Sequence, residues 1–208
     1  MMKITENHRR ALDDILAWRR DVRYFRQDPV DPAVLERLRH RMGFAPSVGN
    51  ARPWRIVQVN SAHVRMRIIE IFEACNADAA RAYEAEARHD YLALKLAGLR
   101  EAPIHLAVFT DQNATEGRGL GRQTMPEMLS YSTVMAIHTL WLAARAENIG
   151  IGWVSILDPF AVASVLEVPS TWSLTGYLCL GHPEVESDTP LLHEVGWQKD
   201  TPTDWQII

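Results

Sequence analysis

The sequence predicts an α+β fold, and three observations carry that reading. Stretches with helical spacing of apolar residues are interleaved with short alternating or uniformly apolar runs. One segment, 130–148, is apolar on every face: ten of the fourteen residues of "YSTVMAIHTLWLAA" are apolar, which sends that helix to the centre of the protein or to a subunit interface. No repeat or linker interrupts the 208 residues, so residues 1–208 read as a single domain long enough to bury a sizeable core.

The elements follow in order. Residues Asn7 to Trp18 read as a helix that runs into "RRDVRYF". "DPAVLERLRHRM" is a second helix: Asp31 is its N-cap, Pro32 suits the first helical position, and Val34, Leu35, Leu38 and Met42 share one face. "APSVGNARPW" gathers Pro, Ser, Gly and Asn and is a loop. "WRIVQVN" alternates as a strand does, and Ser61 then caps a helix carrying Val64, Ile68, Ile71, Phe72 and Cys75. Residues 78–100 are rich in alanine and charge, helical but lightly anchored by Tyr83, Tyr91, Leu92, Leu96 and Leu99. Pro103–Thr110 is a core strand, and the glycine-rich stretch that follows it, through Met125, is a flexible loop. After the apolar helix come the strand "IGWVSI", a short helix from Pro159 to Leu166, and the strand "SLTGYLCLG". The tail, 182–208, has no periodicity of its own and must pack along the body or across a partner subunit.

The totals exclude several classes. A formal net charge of −4 argues against a nucleic-acid partner, which needs a broad basic footprint. No apolar run is long enough to span a membrane, and the N-terminus lacks the core of a signal peptide. Cys75 and Cys179 make no C-x-x-C pair, so a reducing, cytoplasmic setting is expected. The eight histidines show no metal-ligand spacing; no metal is expected, and His138 is placed as a core histidine.

Three stretches could carry chemistry. Arg19, Arg20 and Arg23 could hold a phosphate, because guanidinium forks match its oxygens; taken alone, the run reads first as a solvated helix end neutralised by Asp21. Arg19 and Arg23 would converge on one ligand as helical neighbours only if the helix continues past Trp18. The loop "PSVGNARPW" could let backbone approach a planar ligand, or be a plain surface turn. "GRGLGRQTM" lacks the strand-to-helix junction of a dinucleotide fingerprint and is read as a flexible loop.

In this order, "RRDVRYF", "APSVGNARPW", "GRGLGRQTMPEMLSYS" and "GWVSILDP" resemble the FMN-dependent nitroreductase superfamily. Within it they are most similar to the branch of 5,6-dimethylbenzimidazole synthases, where an aspartate stands at position 21 in place of the serine of ordinary nitroreductases. The resemblance covers most of residues 15–181. It implies a mixed central sheet flanked by helices, in an intertwined homodimer with flavin sites at the interface. It implies that Arg19, Arg20 and Arg23 bind the phosphate and ribityl chain of FMN, and that Ser47, Gly49 and Asn50 lie along the flavin. The 78–100 segment corresponds to a lid, with Tyr83, Tyr91 and Leu94 over the isoalloxazine. Arg52 departs from the family's usual glutamine and either stabilises an anionic reduced flavin or faces solvent.

The activity implied is oxygen-dependent fragmentation of reduced FMN, with FMN as substrate and molecular oxygen as co-substrate. The products are 5,6-dimethylbenzimidazole, the lower ligand of vitamin B12, and erythrose 4-phosphate. A separate flavin reductase would supply reduced FMN. Such chemistry needs a closed, dry site, since reduced flavin open to water and oxygen yields hydrogen peroxide. Asp21, expected ionised beside its arginines, is the candidate general acid/base, and Ser155 is a candidate to orient oxygen or the flavin edge; both also have a purely structural reading. An NAD(P)H-dependent FMN nitroreductase or flavin reductase, and a non-catalytic flavin-binding protein, are the alternatives.

Overall fold

The computed structural model describes residues 2–199 and 201–208. Two helices lead, α1 (Glu6–Trp18) and α2 (Pro32–Met42), the second capped as expected by Asp31, whose carboxylate accepts the Ala33 N–H at 2.8 Å. After a 3-10 turn over Val48–Asn50 come β1 (Trp54–Gln58), α3 (Ala62–Arg81) and α4 (Ala85–Ala93). Then follow β2 (Ile104–Asp111), a second 3-10 turn at Glu116–Gly119, and α5 (Met128–Ala146). The chain continues with β3 (Gly150–Val154), α6 (Pro159–Val165), β4 (Trp172–Gly181) and the single turn α7 (Leu191–Glu194).

The four strands lie in the order β1-β2-β4-β3, every pair antiparallel. The parallel component expected of a mixed sheet is one isolated bridge, Asp21 to Ile151, on the outer edge of β3.

The sheet is buried on both faces because side chains alternate along its central strands. From β2 and β4, Val108, Leu178 and Leu180 join Leu38, Ile137 and Leu140 in one core, under α2 and α5. Their neighbours Ala107, Phe109, Tyr177 and Cys179 join Ile68 and Val162 in the other, under α3 and α6. The result is three layers, helix–sheet–helix.

The apolar helix α5 covers the first face with Ala136, Ile137, Leu140 and Ala144, all buried. Its opposite side presents Tyr131, Val134 and Met135 to solvent, with His138 among them. His138 is therefore not the core histidine expected; its helix is buried on one side only. The buried histidine is His105 on β2, whose Nδ1 lies 3.0 Å from the Tyr177 hydroxyl.

The tail divides. Residues 182–199 return along the body through α7, whereas 201–208 are exposed throughout, including Trp205, Ile207 and Ile208. No helix among the described residues is long and apolar enough to cross a membrane.

Candidate active site

The arginine run begins where α1 stops. Arg19 is already extended (φ −74°, ψ 110°), so Arg19 and Arg23 are not helical neighbours. The segment instead lies against β3: the Val22 N–H donates to the Ile151 carbonyl at 3.0 Å. Gly152 makes this approach possible, since a Cβ there would stand 2.2 Å from the Val22 carbonyl oxygen. Phe25, buried next to Gly98 and Gly181, closes the far end and pairs with Pro183.

Within this frame the charged groups have different partners. One Asp21 oxygen accepts the Trp153 N–H at 2.9 Å, and the other accepts Arg23 Nε at 2.9 Å. Arg23 Nη1 donates to the Lys95 carbonyl at 2.9 Å. Arg20 donates through Nε to the Asp188 carbonyl at 2.9 Å, and through Nη1 to the Arg19 carbonyl. The Arg19 guanidinium lies over the Trp141 ring, 4.8 Å from its centroid, with no hydrogen-bond partner among the described residues. Burial lowers its pKa first, then the Arg20 charge, with Asp21 opposing.

The structure thus brings Arg19, Arg20, Asp21 and Arg23 around one groove of about 180 Å³, completed by Pro190, Leu191 and Leu192. Asp21 keeps a third of its side-chain surface exposed against 12% for Arg23, so the carboxylate is reachable from the groove while its ion-pair partner is not free to leave. Ser155 stands just beyond the end of β3, exposed, its hydroxyl without a partner among the described residues. It lies two positions past Trp153, on the strand face from which that residue's side chain projects.

The loop at 46–54 is built to a tight specification. Gly49 (φ 53°), Asn50 (φ 57°) and Arg52 (φ 45°) are all left-handed, and the Ser47 hydroxyl accepts the Arg52 N–H at 3.1 Å. The Val48 N–H donates to Ser132 Oγ on α5 at 3.0 Å. A Cβ on Gly49 would stand 2.9 Å from the Leu120 carbonyl oxygen, so the glycine-rich stretch read as a free flexible loop is clamped against this one. Asn50 and Arg52 are exposed, and neither side chain has a partner among the described residues.

The two parts do not meet within one chain. The 46–54 loop is anchored to α5 at Ser132, whereas the arginine segment touches α5 at Trp141, whose Nε1 donates to the Arg20 carbonyl at 3.3 Å. Nine residues of helix separate them, about 13 Å at the usual rise.

The expected lid is α4 with the end of α3. Tyr83 is part-exposed, but Tyr91 is buried, stacked on Tyr83 at 4.9 Å and donating its hydroxyl to Asn76 Oδ1 at 2.7 Å. Tyr91 therefore ties this segment to α3, and in one chain its ring is buried, not exposed as a cover would be. Leu94, at the end of α4, is half-buried. Sequence reasoning missed Trp141, Lys95 and Trp197 as parts of this region; seven tryptophans are many for 208 residues and imply large flat contacts, without saying where.

Comparison with known proteins adds the following. A family model described as the nitroreductase family matches residues 16–182. A 5,6-dimethylbenzimidazole synthase of Rhodobacter capsulatus is 53% identical over 205 residues, covering 99% of each chain. One of Rhodospirillum rubrum is 53% identical over 195 residues, 93% of this chain and 92% of its own. Among solved structures, an iodotyrosine deiodinase bound to FMN and 3-iodo-L-tyrosine superposes with a TM-score of 0.73 at 22% identity, covering 95% of this chain and 97% of its own.

Proposed function

Since the chain belongs to the nitroreductase family, we propose that it is an aerobic 5,6-dimethylbenzimidazole synthase, which converts reduced FMN and oxygen to 5,6-dimethylbenzimidazole and erythrose 4-phosphate. The observation that carries this reading is the 53% identity to a synthase of that name over 99% of both chains.

The residues present fit such a substrate. Arg19 offers unpaired donors at the mouth of a cationic groove, as a phosphate requires. Asn50 and Arg52 offer unpaired side chains for the polar edge of a ring. Reduced FMN, when bound, supplies both the electrons for oxygen and the atoms of the product.

What the chain itself contributes is placement, proton transfer and exclusion of water. Asp21 uses one acceptor position on each oxygen, and a carboxylate has about four, so it can still take a proton from a group in the groove. The Trp153 N–H and Arg23 fix its direction, as a general base requires. Ser155, with its free hydroxyl, orients the reacting edge. The lid over 78–100 keeps water out.

The site is completed by a second copy of the chain. One chain holds its two parts at different ends of α5, and it leaves Tyr131, Val134, Met135 and the tail residues Trp205, Ile207 and Ile208 in solvent. A two-fold dimer covers the apolar surface and brings the 46–54 loop of one protomer to the arginine groove of its partner. Sedimentation showing a monomer at assay concentration would remove this part of the reading. A separate reductase supplies the reduced flavin, and the unpaired Cys75 and Cys179 suit a reducing cytoplasm.

The test is a single turnover: anaerobic mixing with chemically reduced FMN, admission of air, and mass spectrometry of the small molecules. Dimethylbenzimidazole with erythrose 4-phosphate is the expected result. Intact oxidised FMN with hydrogen peroxide, from protein shown to bind flavin, would overturn it. Asp21→Asn is then expected to abolish product with flavin affinity nearly unchanged; equal loss of both would make Asp21 structural.

A further inference from the structure

Three segments far apart in sequence lock one another beside the arginine groove, and the last of them has no assigned part in the reaction. Beyond Pro183, Glu186 accepts Arg145 Nη1 from α5 at 2.9 Å, and the Asp188 carbonyl accepts from Arg20. The Ser187 hydroxyl receives the Thr189 N–H at 3.0 Å and donates to Glu194, which stiffens the stretch around α7. Gly196 then turns the chain in the left-handed conformation (φ +74°). That turn delivers Trp197 to the lid.

Trp197 meets Tyr83 edge-on, with centroids 5.8 Å apart and planes at 76°, and meets Tyr91 tilted at 6.4 Å. Tyr91 is tied to α3 through Asn76, so the stacked tyrosines are held from one side by α3 and from the other by Trp197. The remaining link runs directly between lid and arginine segment. Arg23 donates to the Lys95 carbonyl, and Lys95 Nζ sits 4.6 Å from the centre of the Tyr24 ring.

The lid needs such a clasp. α4 has nine residues, too few to stand as an isolated helix, and Tyr91 is its one buried side chain. Its stability must come from contacts made by others: among the described residues, Arg23 and Tyr24 hold its C-terminal end at Lys95, and Trp197 holds its aromatic pair.

We propose that Trp197 is a positioning residue for the reaction: carried on a strap, Ser187–Trp197, that is anchored on Arg20, it clamps Tyr83 and Tyr91 and holds the lid in register with the arginine groove. The strap acts through the lid and does not touch the reacting atoms. Its effect on products rests on the synthase reading above; its effect on the lid does not.

The experiment uses the full chain as wild type, Trp197→Ala and Trp197→Phe. The first readout is hydrogen–deuterium exchange over 85–94 without flavin. Trp197→Ala is expected to exchange about tenfold faster there, the size an aromatic contact of this geometry supports, and Trp197→Phe to lie near wild type. The second is the ratio of dimethylbenzimidazole to hydrogen peroxide in a single turnover, expected to fall about fivefold or more in Trp197→Ala as water enters, and to recover in Trp197→Phe. Affinity for oxidised FMN should stay within about threefold of wild type, because Trp197 holds the lid and not the flavin. Unchanged exchange in a folded Trp197→Ala overturns the clamp. Faster exchange with an unchanged ratio overturns the positioning role and leaves Trp197 as packing. A wild-type chain that makes no dimethylbenzimidazole sinks the synthase reading instead, while the exchange experiment still decides the clamp.

Discussion

Gly152→Ala tests whether the close approach of the arginine segment to β3 is what positions Asp21. The new methyl group would stand 2.2 Å from the Val22 carbonyl oxygen, 3.3 Å from its carbon and 3.7 Å from Phe25 Cζ. Ordinary contact begins at 3.4 Å, and the nearest atoms are backbone, so no side chain can swing aside. The Val22 peptide must retreat by about 1.2 Å, the difference between those two distances. That shift strains the Val22–Ile151 hydrogen bond and draws the Asp21 carboxylate from the Trp153 N–H. Overpacking of this kind costs about 1–3 kcal/mol. For a chain of this size it lowers Tm by roughly 2–12 °C. A catalytic group misplaced by about 1 Å costs on the order of a hundredfold in rate. The variant should therefore remain folded, melt several degrees lower by calorimetry, and form dimethylbenzimidazole about a hundredfold more slowly in single turnover. An unaltered Tm with a rate within about threefold of wild type would refute the idea that this contact sets the geometry of Asp21.

Two further expectations concern acid. Burial first, and then the Arg65 charge, hold the His105 pKa down to about 4 from 6.5. The neutral form thus contributes stability that is complete above pH 6.5 and is lost as pH falls towards 4, at most about 3 kcal/mol. In urea titrations between pH 7 and 4.5, His105→Asn should flatten the loss of stability seen in wild type; equal slopes would mean that another group drives it. On α5's C-terminal edge, Glu147 accepts Arg37 Nη2 at 2.7 Å and Arg41 Nη1 at 2.7 Å, joining α2 to α5. Chiefly the Arg37 hydrogen bond, against some desolvation and helped by Arg41, holds its carboxyl at about 2, down from 4.5. Its contribution is present above pH 4.5 and is lost as pH falls through 2, so Glu147→Gln should melt lower than wild type at pH 7 and converge with it near pH 2. A constant gap in melting temperature across that range would remove Glu147 from acid denaturation.

Local signals were legible because they are satisfied locally. Asp31 before Pro32 caps α2 within two residues, and the positive-φ turn around Gly49 needs residues that tolerate it. The sheet was legible as strands, but its parallel bridge was not, since "RDV" carries no strand pattern and pairs only because Gly152 leaves room for Val22. His138 misled for a related reason: an all-apolar helix permits either a buried or an interfacial face, and only the partners of α5 show which side the histidine takes. The glycine-rich stretch through Met125 read as mobile because its restraint, the backbone of Gly49, lies about seventy residues away. Trp197 was legible only as one tryptophan of seven and not by its place, because an aromatic clasp depends on a turn at Gly196 aiming a ring at a helix more than a hundred residues earlier.

The arginine run itself is not one device. Arg23 is committed to Asp21 and the Lys95 carbonyl, and Arg20 to the Asp188 carbonyl, so both positive charges already hold protein together before any ligand arrives. Among the described residues, only Arg19 of the three has no hydrogen-bond partner for its guanidinium, and it is half-buried on Trp141 where its orientation is restricted by the ring. On the proposed reading, a phosphate in the groove would find free donors first on Arg19, since Arg23 is 12% exposed and has two of its five N–H groups engaged. Arg20 lies between these cases: it can serve the phosphate fully only by exchanging the Asp188 carbonyl for it. The same exchange would loosen the strap that carries Trp197. On that reading phosphate binding and lid closure would compete for the Nε–Nη2 edge of Arg20, both of whose donors hold the Asp188 carbonyl, whereas its Nη1 contact to the Arg19 carbonyl can be released without disturbing the strap.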